Sequence, residues 1–232
     1  MSIREEVWSS SFQCRNLIFD WDGTLFDSVP AKRSNFIKIV TDFLGIQNSD
    51  LGRLTLSRTF DELSGLKRRA VLEHMCAKFD HVLSEDEYQS INSELFSLNK
   101  TSLQNCKLFP DALRLLQRLL NLESSVWISS SVPQTELDYF VNVNVPKHLS
   151  GVFSGVLGSD DSFCKGVPHF TRIEFQSKIN LKDFLFIGDD PTDIRLGQLS
   201  RVPSLLISRH RVAEKRFHFP SAESLDVLCA TA

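Results

Sequence analysis

The sequence predicts an α/β protein: a doubly wound parallel sheet with an all-helical domain inserted early in the chain. Three observations lead there. Asn16-Leu17-Ile18-Phe19 is apolar along nearly its whole length, as a strand covered on both faces of a parallel sheet must be. From Leu108 onward, further short apolar runs alternate with amphipathic helical stretches, the pattern of successive βα units. Between the first run and that at Val126-Trp127-Ile128 lie about a hundred residues, far too many for one crossover connection, and those before Leu108 carry a helical period with no strand signals.

The inserted region reads as helices in order. Phe36, Val40, Phe43 and Leu44 fall on one face at a spacing of three and four, and Leu72, Met75, Cys76 and Phe79 do the same. Ser84-x-x-Glu87 forms a capping box, followed by Tyr88, Ile91, Leu95 and Leu98 at helical spacing. The insert is placed at residues 28–107, with hinges near Asp27-Ser28 and Leu108-Phe109-Pro110. The core is then made of residues 1–27 and 108–232.

In the core, Pro110 to Leu122 is a leucine-rich helix with proline near its start. Val126-Trp127-Ile128 is a strand, followed by a helix around Gln134 to Val141. Val152 to Leu157 alternates weakly around Gly155, as a short strand or a loop. Pro168 to Ile179 is expected to be a helix, Phe184–Ile187 a strand, Asp193 to Leu199 a helix and Ser204 to Ile207 the last core strand. Arg209 to Phe219 is basic and loop-like, and Ser221 to Leu228 is expected to close the domain as a helix.

Composition narrows the function classes. At 232 residues, 42% hydrophobic and 24% charged, the chain has the makeup of an ordinary globular protein with a sizeable core. A net charge of -3 gives no reason to expect nucleic acid or an anionic membrane as partner. No apolar run approaches the ~20 residues of a membrane span. Met1 to Arg15 has Arg4, Glu5 and Glu6 and no apolar signal region; Trp8 and Phe12 could pin it to the core. The five cysteines are scattered with no C-x-x-C spacing, which argues against a zinc site or disulfides and suits a reducing cytoplasm. The oligomeric state is not legible.

The chemistry is concentrated where strands end. Asp20-Trp21-Asp22-Gly23-Thr24 follows the first apolar run, putting two carboxylates two residues apart at the carboxyl end of a strand, where α/β sheets bind ligands. Such a pair repels unless a cation or proton lies between, or the chain turns after Asp20. Three further stretches follow: Val126-Trp127-Ile128 running into Ser129-Ser130-Ser131; Lys165 ahead of a helix; and Phe184 to Ile187 running into Gly188-Asp189-Asp190-Pro191-Thr192-Asp193.

These four stretches, in this order, resemble the four signatures of the haloacid dehalogenase superfamily, and the resemblance covers Asn16 to about Ile207. It implies a Rossmann-like core and a helical cap inserted before the second signature. The stretch from Ser131 to Lys165 has no room for a second large cap. The resemblance further implies that Asp20 is a nucleophile forming an aspartyl-phosphate, and that Asp22 is a general acid and then base, a role needing a raised pKa. Dehalogenating members lack a carboxylate at the Asp22 position, so its presence favours phosphate chemistry. Ser129 would donate its hydroxyl to a phosphate oxygen, helped by the backbone N–H of Ser130, and Lys165 would neutralise the phosphoryl group and Asp20. Asp20, Asp189 and the backbone carbonyl of Asp22 would bind Mg²⁺, a hard cation suited to oxygen ligands. Asp190 and Asp193 would support them, Asp193 by orienting waters or Lys165; Asp190 also reads as a helix-start residue.

The cap carries Gly65-Leu66-Lys67-Arg68-Arg69, similar to a substrate-positioning loop of β-phosphoglucomutase-like members. On that likeness Arg68, with Lys67, would contact a second anionic group; a solvated basic helix start is the alternative. Asp27-Ser28-Val29-Pro30 and Gly158-Ser159 are similar to phosphoglycolate-phosphatase-like members. The expected activity is therefore a Mg²⁺-dependent phosphatase for a small phosphomonoester, either a sugar phosphate or a phosphoglycolate-like compound. A phosphomutase using the same residues, a phosphonatase using Lys32 or Lys67, and a non-catalytic binding protein remain as alternatives.

Overall fold

The computed structural model describes residues 16–63, 65–122, 124–160, 162–209 and 219–229. The leader with Trp8 and Phe12, and nearly all of the basic stretch after Arg209, lie outside the described residues. The chain divides into two compact units, Ser28–Lys107 and the remainder on either side of it.

The larger unit is built on a six-stranded sheet. Its strands are β1 (Asn16–Phe19), β2 (Ser125–Pro133), β3 (Gly155–Ser159), β4 (Leu185–Gly188), β5 (Ser204–Ile207) and β6 (Ser221–Ala222), in the spatial order β3-β2-β1-β4-β5-β6 with every pair parallel. The order turns back between β1 and β4, so the crevice beyond their carboxyl ends is the ligand position of a doubly wound sheet. Leu17, Ile18 and Phe19 of β1 are wholly buried, which is why that run needed to be apolar on both faces. Ile18, Trp127, Leu157 and Phe186 join Phe170 and Ile173 of a covering helix in one apolar cluster. The helices of this unit, numbered after the four of the insert, are α5 (Pro110–Leu120), α6 (Gln134–Asn144), α7 (Val167–Ser177) and α8 (Pro191–Ser200).

The smaller unit is helical: α1 (Val29–Phe43), α2 (Asp50–Glu62), α3 (Arg68–Ala77) and α4 (Glu85–Ser102). Phe36, Ile39, Val40, Leu56, Leu72, Met75, Ile91 and Leu95 form its own core. The Ser84–Glu87 capping box starts α4, with Glu87 accepting from Ser84 N at 2.8 Å. Helix α2 has no counterpart in the periodicity above. Leu56 is its only fully buried large apolar side chain, while Leu51 and Leu54 face water, so no stripe marks it.

Two expectations are corrected. Strand β2 runs well past Ile128, through all three serines to Pro133. Polar residues can occupy this buried strand because their hydroxyls find partners, as Ser129 and Ser130 show below. Ser221 to Leu228 is not a helix. Ser221 and Ala222 add a sixth strand beside Leu206 and Ile207, and only Leu225–Leu228 forms a single 3₁₀ turn, capped by Ser224 accepting from Asp226 N. Pro220 opens that edge strand and lends its carbonyl to Leu206 N at 3.0 Å, pulling the chain into the sheet.

Where the insert leaves and returns, Phe26 and Leu108 form an antiparallel bridge and Phe109 N donates to Leu25 O at 2.9 Å. The two crossings therefore run side by side within the larger unit.

Candidate active site

Asp20 continues the ladder beyond β1 by donating its N–H to Ile187 O at 2.8 Å, and the chain then turns at once. Leu25 N and Phe26 N both donate to Trp21 O, and Gly23 N donates to Phe26 O. Gly23 has φ +78°, and a Cβ there would lie 2.2 Å from Asp189 Oδ2. Only glycine lets the turn approach Asp189 this closely. Thr24 Oγ1 donates to the other oxygen of Asp189 at a long 3.4 Å.

From the neighbouring strand, Gly188 ends β4 and Asp189 follows. Asp190 caps α8 by accepting from Thr192 N at 2.8 Å, and Asp193 returns a carboxylate toward Asp190 N at 3.4 Å. This capping box is what folds Asp193 back over the strand end. Asp20, Asp189 and Asp193 thus offer carboxylate oxygens that lie within 4.8 Å of one another.

Among the described residues, one cation enters this acidic cluster. Lys165 Nζ lies 2.7 Å from Asp20 Oδ1 and 2.5 Å from Asp193 Oδ1; the second contact is an ion pair rather than an aligned hydrogen bond. Its backbone is fixed as well, since Lys165 N donates to Ser159 Oγ at 3.1 Å and that hydroxyl donates to Ser130 O at 2.8 Å. Ser129 Oγ stands 2.9 Å from His169 Nδ1, with both residues fully buried. Ser130 Oγ is turned back to accept from Val132 N at 3.3 Å.

The charges do not balance. Burial, opposed by Lys165, pushes the Asp20 pKa up to about 7. Burial and the charge of Asp20 push Asp189 well above the usual carboxylate range, and burial raises Asp193 despite Lys165. On Lys165, burial opposes the charge, but Asp193 and Asp20 outweigh it and hold the ammonium charged. Three carboxyl groups share one ammonium, so they hold protons that a divalent cation could replace, in a buried pocket of oxygen donors without His or Cys among them. That donor set fits a hard divalent cation such as Mg²⁺.

The structure brings together Asp20, Asp189, Asp193 and Lys165, with Ser129 and Ser130 on the adjacent strand. Asp22 is half-buried at the turn, and its main chain bridges to Phe26. Lys67 and Arg68 belong to the helical unit. Lys67 precedes α3, and Arg68 begins that helix, where it is buried and donates to Asn92 Oδ1 at 2.7 Å. Sequence reading placed Thr24 only in the sharp exit after Asp20 and assigned no role to Ser159, His169, Asp111 or Arg209. Of these last four, only Ser159 carried any signal, as part of Gly158-Ser159.

Solved structures share this fold over nearly their whole length. A predicted phosphoglycolate phosphatase from Haemophilus somnus superposes with TM-score 0.72 at 18% identity, covering 94% of this chain and 98% of that one. A haloacid dehalogenase hydrolase, family IA, variant 3, from Entamoeba histolytica gives TM-score 0.74 at 15% identity over 92% and 94%. A magnesium-bound haloacid dehalogenase-type protein from Bacillus subtilis gives 0.65 at 16% identity over 93% and 97%. No curated protein matches in sequence. The model of the haloacid dehalogenase-like hydrolases matches residues 17–207, strand β1 through strand β5 and every residue of the acidic cluster, and the chain belongs to that family.

Proposed function

We propose that this hydrolase is a Mg²⁺-dependent phosphatase acting on a small phosphomonoester, such as a sugar phosphate or a phosphoglycolate-like compound. The observation that carries the reading is Lys165 paired with Asp20 inside a buried carboxylate cluster at the carboxyl ends of β1 and β4. A substrate phosphate would find there a nucleophilic oxygen, a fixed positive charge and donors on β2. Asp20 and Asp189, with the Asp22 carbonyl, are the groups that would hold Mg²⁺, while Asp193, paired with Lys165, would orient that lysine. The bound ion would supply charge neutralisation for phosphate beside the carboxylates.

Asp20 attacks phosphorus in line and takes the phosphoryl group as an aspartyl-phosphate, while Asp22 passes its proton to the departing alkoxide. Asp22, now a carboxylate, takes a proton from water as that water attacks phosphorus; the Asp20–phosphate bond breaks, and inorganic phosphate leaves. Lys165 holds Asp20 in place before attack and faces the phosphoryl oxygens after it. Ser129 donates to one of those oxygens. The helical unit, residues 28–107, would act as a cap that admits small substrates and screens out large ones, with Arg68 and Lys67 as its candidate anion contacts. The Haemophilus somnus structure's name is consistent with a phosphoglycolate-like substrate, and the magnesium in the Bacillus subtilis structure with the metal.

The test is phosphate release from a panel of phosphomonoesters, with and without Mg²⁺. Wild type is expected to release phosphate only with the metal, and Asp20→Asn to lose activity by about three orders of magnitude or more. Conversion of a sugar phosphate to its isomer without phosphate release would mark a mutase instead.

A further inference from the structure

His169 sits in the first turn of α7, four residues after Lys165, with its ring against Phe163 at a centroid distance of 4.6 Å. It is a polar side chain at full burial, next to an apolar cluster that any hydrophobic residue could extend. Its Nδ1 reaches Ser129 Oγ at 2.9 Å, while its Nε2 is buried without a hydrogen-bond partner. Burial lowers its pKa to about 4 against the pull of the Gly158 carbonyl, and the charge of Lys165 adds to the lowering, so the imidazole is neutral near pH 7.

A neutral imidazole has one ring hydrogen to place. On Nε2 it would leave a buried N–H with no acceptor in hydrogen-bonding geometry, the Gly158 carbonyl included, a group that folded proteins tolerate less than an unpaired lone pair. On Nδ1 it is donated to Ser129 Oγ. The hydroxyl then accepts from the ring, and its own hydrogen is free to point elsewhere.

We propose that His169 is a positioning residue: by donating from Nδ1 to Ser129 Oγ, it fixes the serine hydroxyl so that its hydrogen is offered to a phosphoryl oxygen. This deepens the phosphatase reading and rests on it. A serine on a bare strand end could turn its hydroxyl to a backbone carbonyl. With the ring occupying one lone pair, donation toward an incoming anion is the arrangement left.

Two measurements test it on the full-length protein. Nitrogen-15 NMR of the histidine rings near pH 7, without substrate, reads the tautomer directly, with His169→Asn identifying the resonance. Nδ1 is expected to be protonated and Nε2 bare; a ring protonated on Nε2 would overturn the proposal whatever the activity. Kinetics supply the second readout. His169→Leu is expected to lower kcat/KM about tenfold, the worth of one hydrogen bond. His169→Asn, whose amide N–H can stand where Nδ1–H stood, is expected to recover most of that. In a Ser129→Ala background His169→Leu should cost nothing more, because the partner is already gone. An equal further loss there would mean that His169 acts by packing alone, and the proposal fails. Thermal melts accompany each variant, and His169→Phe replaces His169→Leu if the latter does not fold. Absence of phosphate release by wild type from every ester would sink the phosphatase reading and the acceptor named here, while the tautomer would still judge the hydrogen bond.

Discussion

At the scale of single residues, Asp20 combines two demands that conflict in the absence of metal. In the proposed reaction it must be a carboxylate to attack phosphorus, yet its burial pushes its pKa to about 7. Because its folded pKa lies above the unfolded value of 3.8, the folded state binds more protons between those two values. Its contribution to metal-free stability therefore falls as pH rises from about 4 to about 7. A cation among the three carboxylates displaces that proton, so Mg²⁺ binding should strengthen with pH. From Asp20 alone the affinity at pH 8 should exceed that at pH 6 by about tenfold, and the upward shifts of Asp189 and Asp193 act in the same direction. Calorimetric Mg²⁺ titrations at both pH values measure this, and equal affinities would rule out protonated carboxylates in the free site. The members of this cluster were legible because each follows an apolar run or opens a helix, a local signal. Ser159 and His169 were not, because what makes them matter is a partner far along the chain: Ser130 for the first and Ser129 for the second.

At the scale of elements, the turn after Asp20 is held from outside by Arg209, two residues beyond the end of β5. Its guanidinium donates to Thr24 O at 2.8 Å, to Gly23 O at 3.3 Å and to Asp111 Oδ2 at 2.7 Å, and lies over the Phe109 ring. Asp111, in the first turn of α5, also accepts from Ser224 Oγ and Leu225 N. One buried ion pair thus ties the turn after Asp20, the start of α5 and the 3₁₀ turn at Leu225–Leu228. Burial works against the Asp111 carboxylate, but Arg209 and Leu225 N outweigh it and hold its pKa below 3.8. Its stabilising contribution is complete above that value and is lost as pH falls through the depressed one. Arg209→Leu leaves a buried carboxylate without its counter-charge, takes a donor from two carbonyls, and should cost about 3–5 kcal/mol in urea unfolding, as well as activity. A loss below about 1 kcal/mol would show that the pair is not a tie. No local pattern announces such a contact, since an arginine after a strand and an aspartate in a helix start are both commonplace. Strands β1 and β5 were readable because every position in them is apolar or flanks an apolar run. Strand β2 was underread because burial of its serines depends on hydroxyl partners that the local sequence does not display.

At the scale of the whole molecule, the division into two units has a physical basis in their cores. Leu56, Leu72, Met75, Ile91 and Leu95 pack among themselves within Ser28–Lys107, while Ile18, Trp127, Phe170 and Phe186 pack within the sheet unit. The insert was legible from its length and helical period, properties that survive without any knowledge of tertiary contacts. The larger unit is joined to itself across the gap by the Phe26–Leu108 bridge and the Phe109–Leu25 hydrogen bond. Its sheet, its acidic cluster and the Arg209 tie draw no residue from 28–107. Replacing Ser28–Lys107 by a Gly/Ser turn of about two to four residues should therefore close a hairpin that is already formed. The shortened protein is expected to keep a cooperative thermal transition and to bind Mg²⁺ with the same dependence on pH. It should lose discrimination among phosphomonoesters, with kcat/KM for the best substrate falling by about two orders of magnitude or more if substrate-derived binding energy comes from the helical unit. Circular dichroism melts and the same phosphate-release panel read the two halves of this prediction separately. Loss of the cooperative transition would mean that the sheet unit depends on the insert for its fold. An intact transition with unchanged substrate ranking would mean that residues 28–107, Arg68 among them, have no part in choosing the substrate.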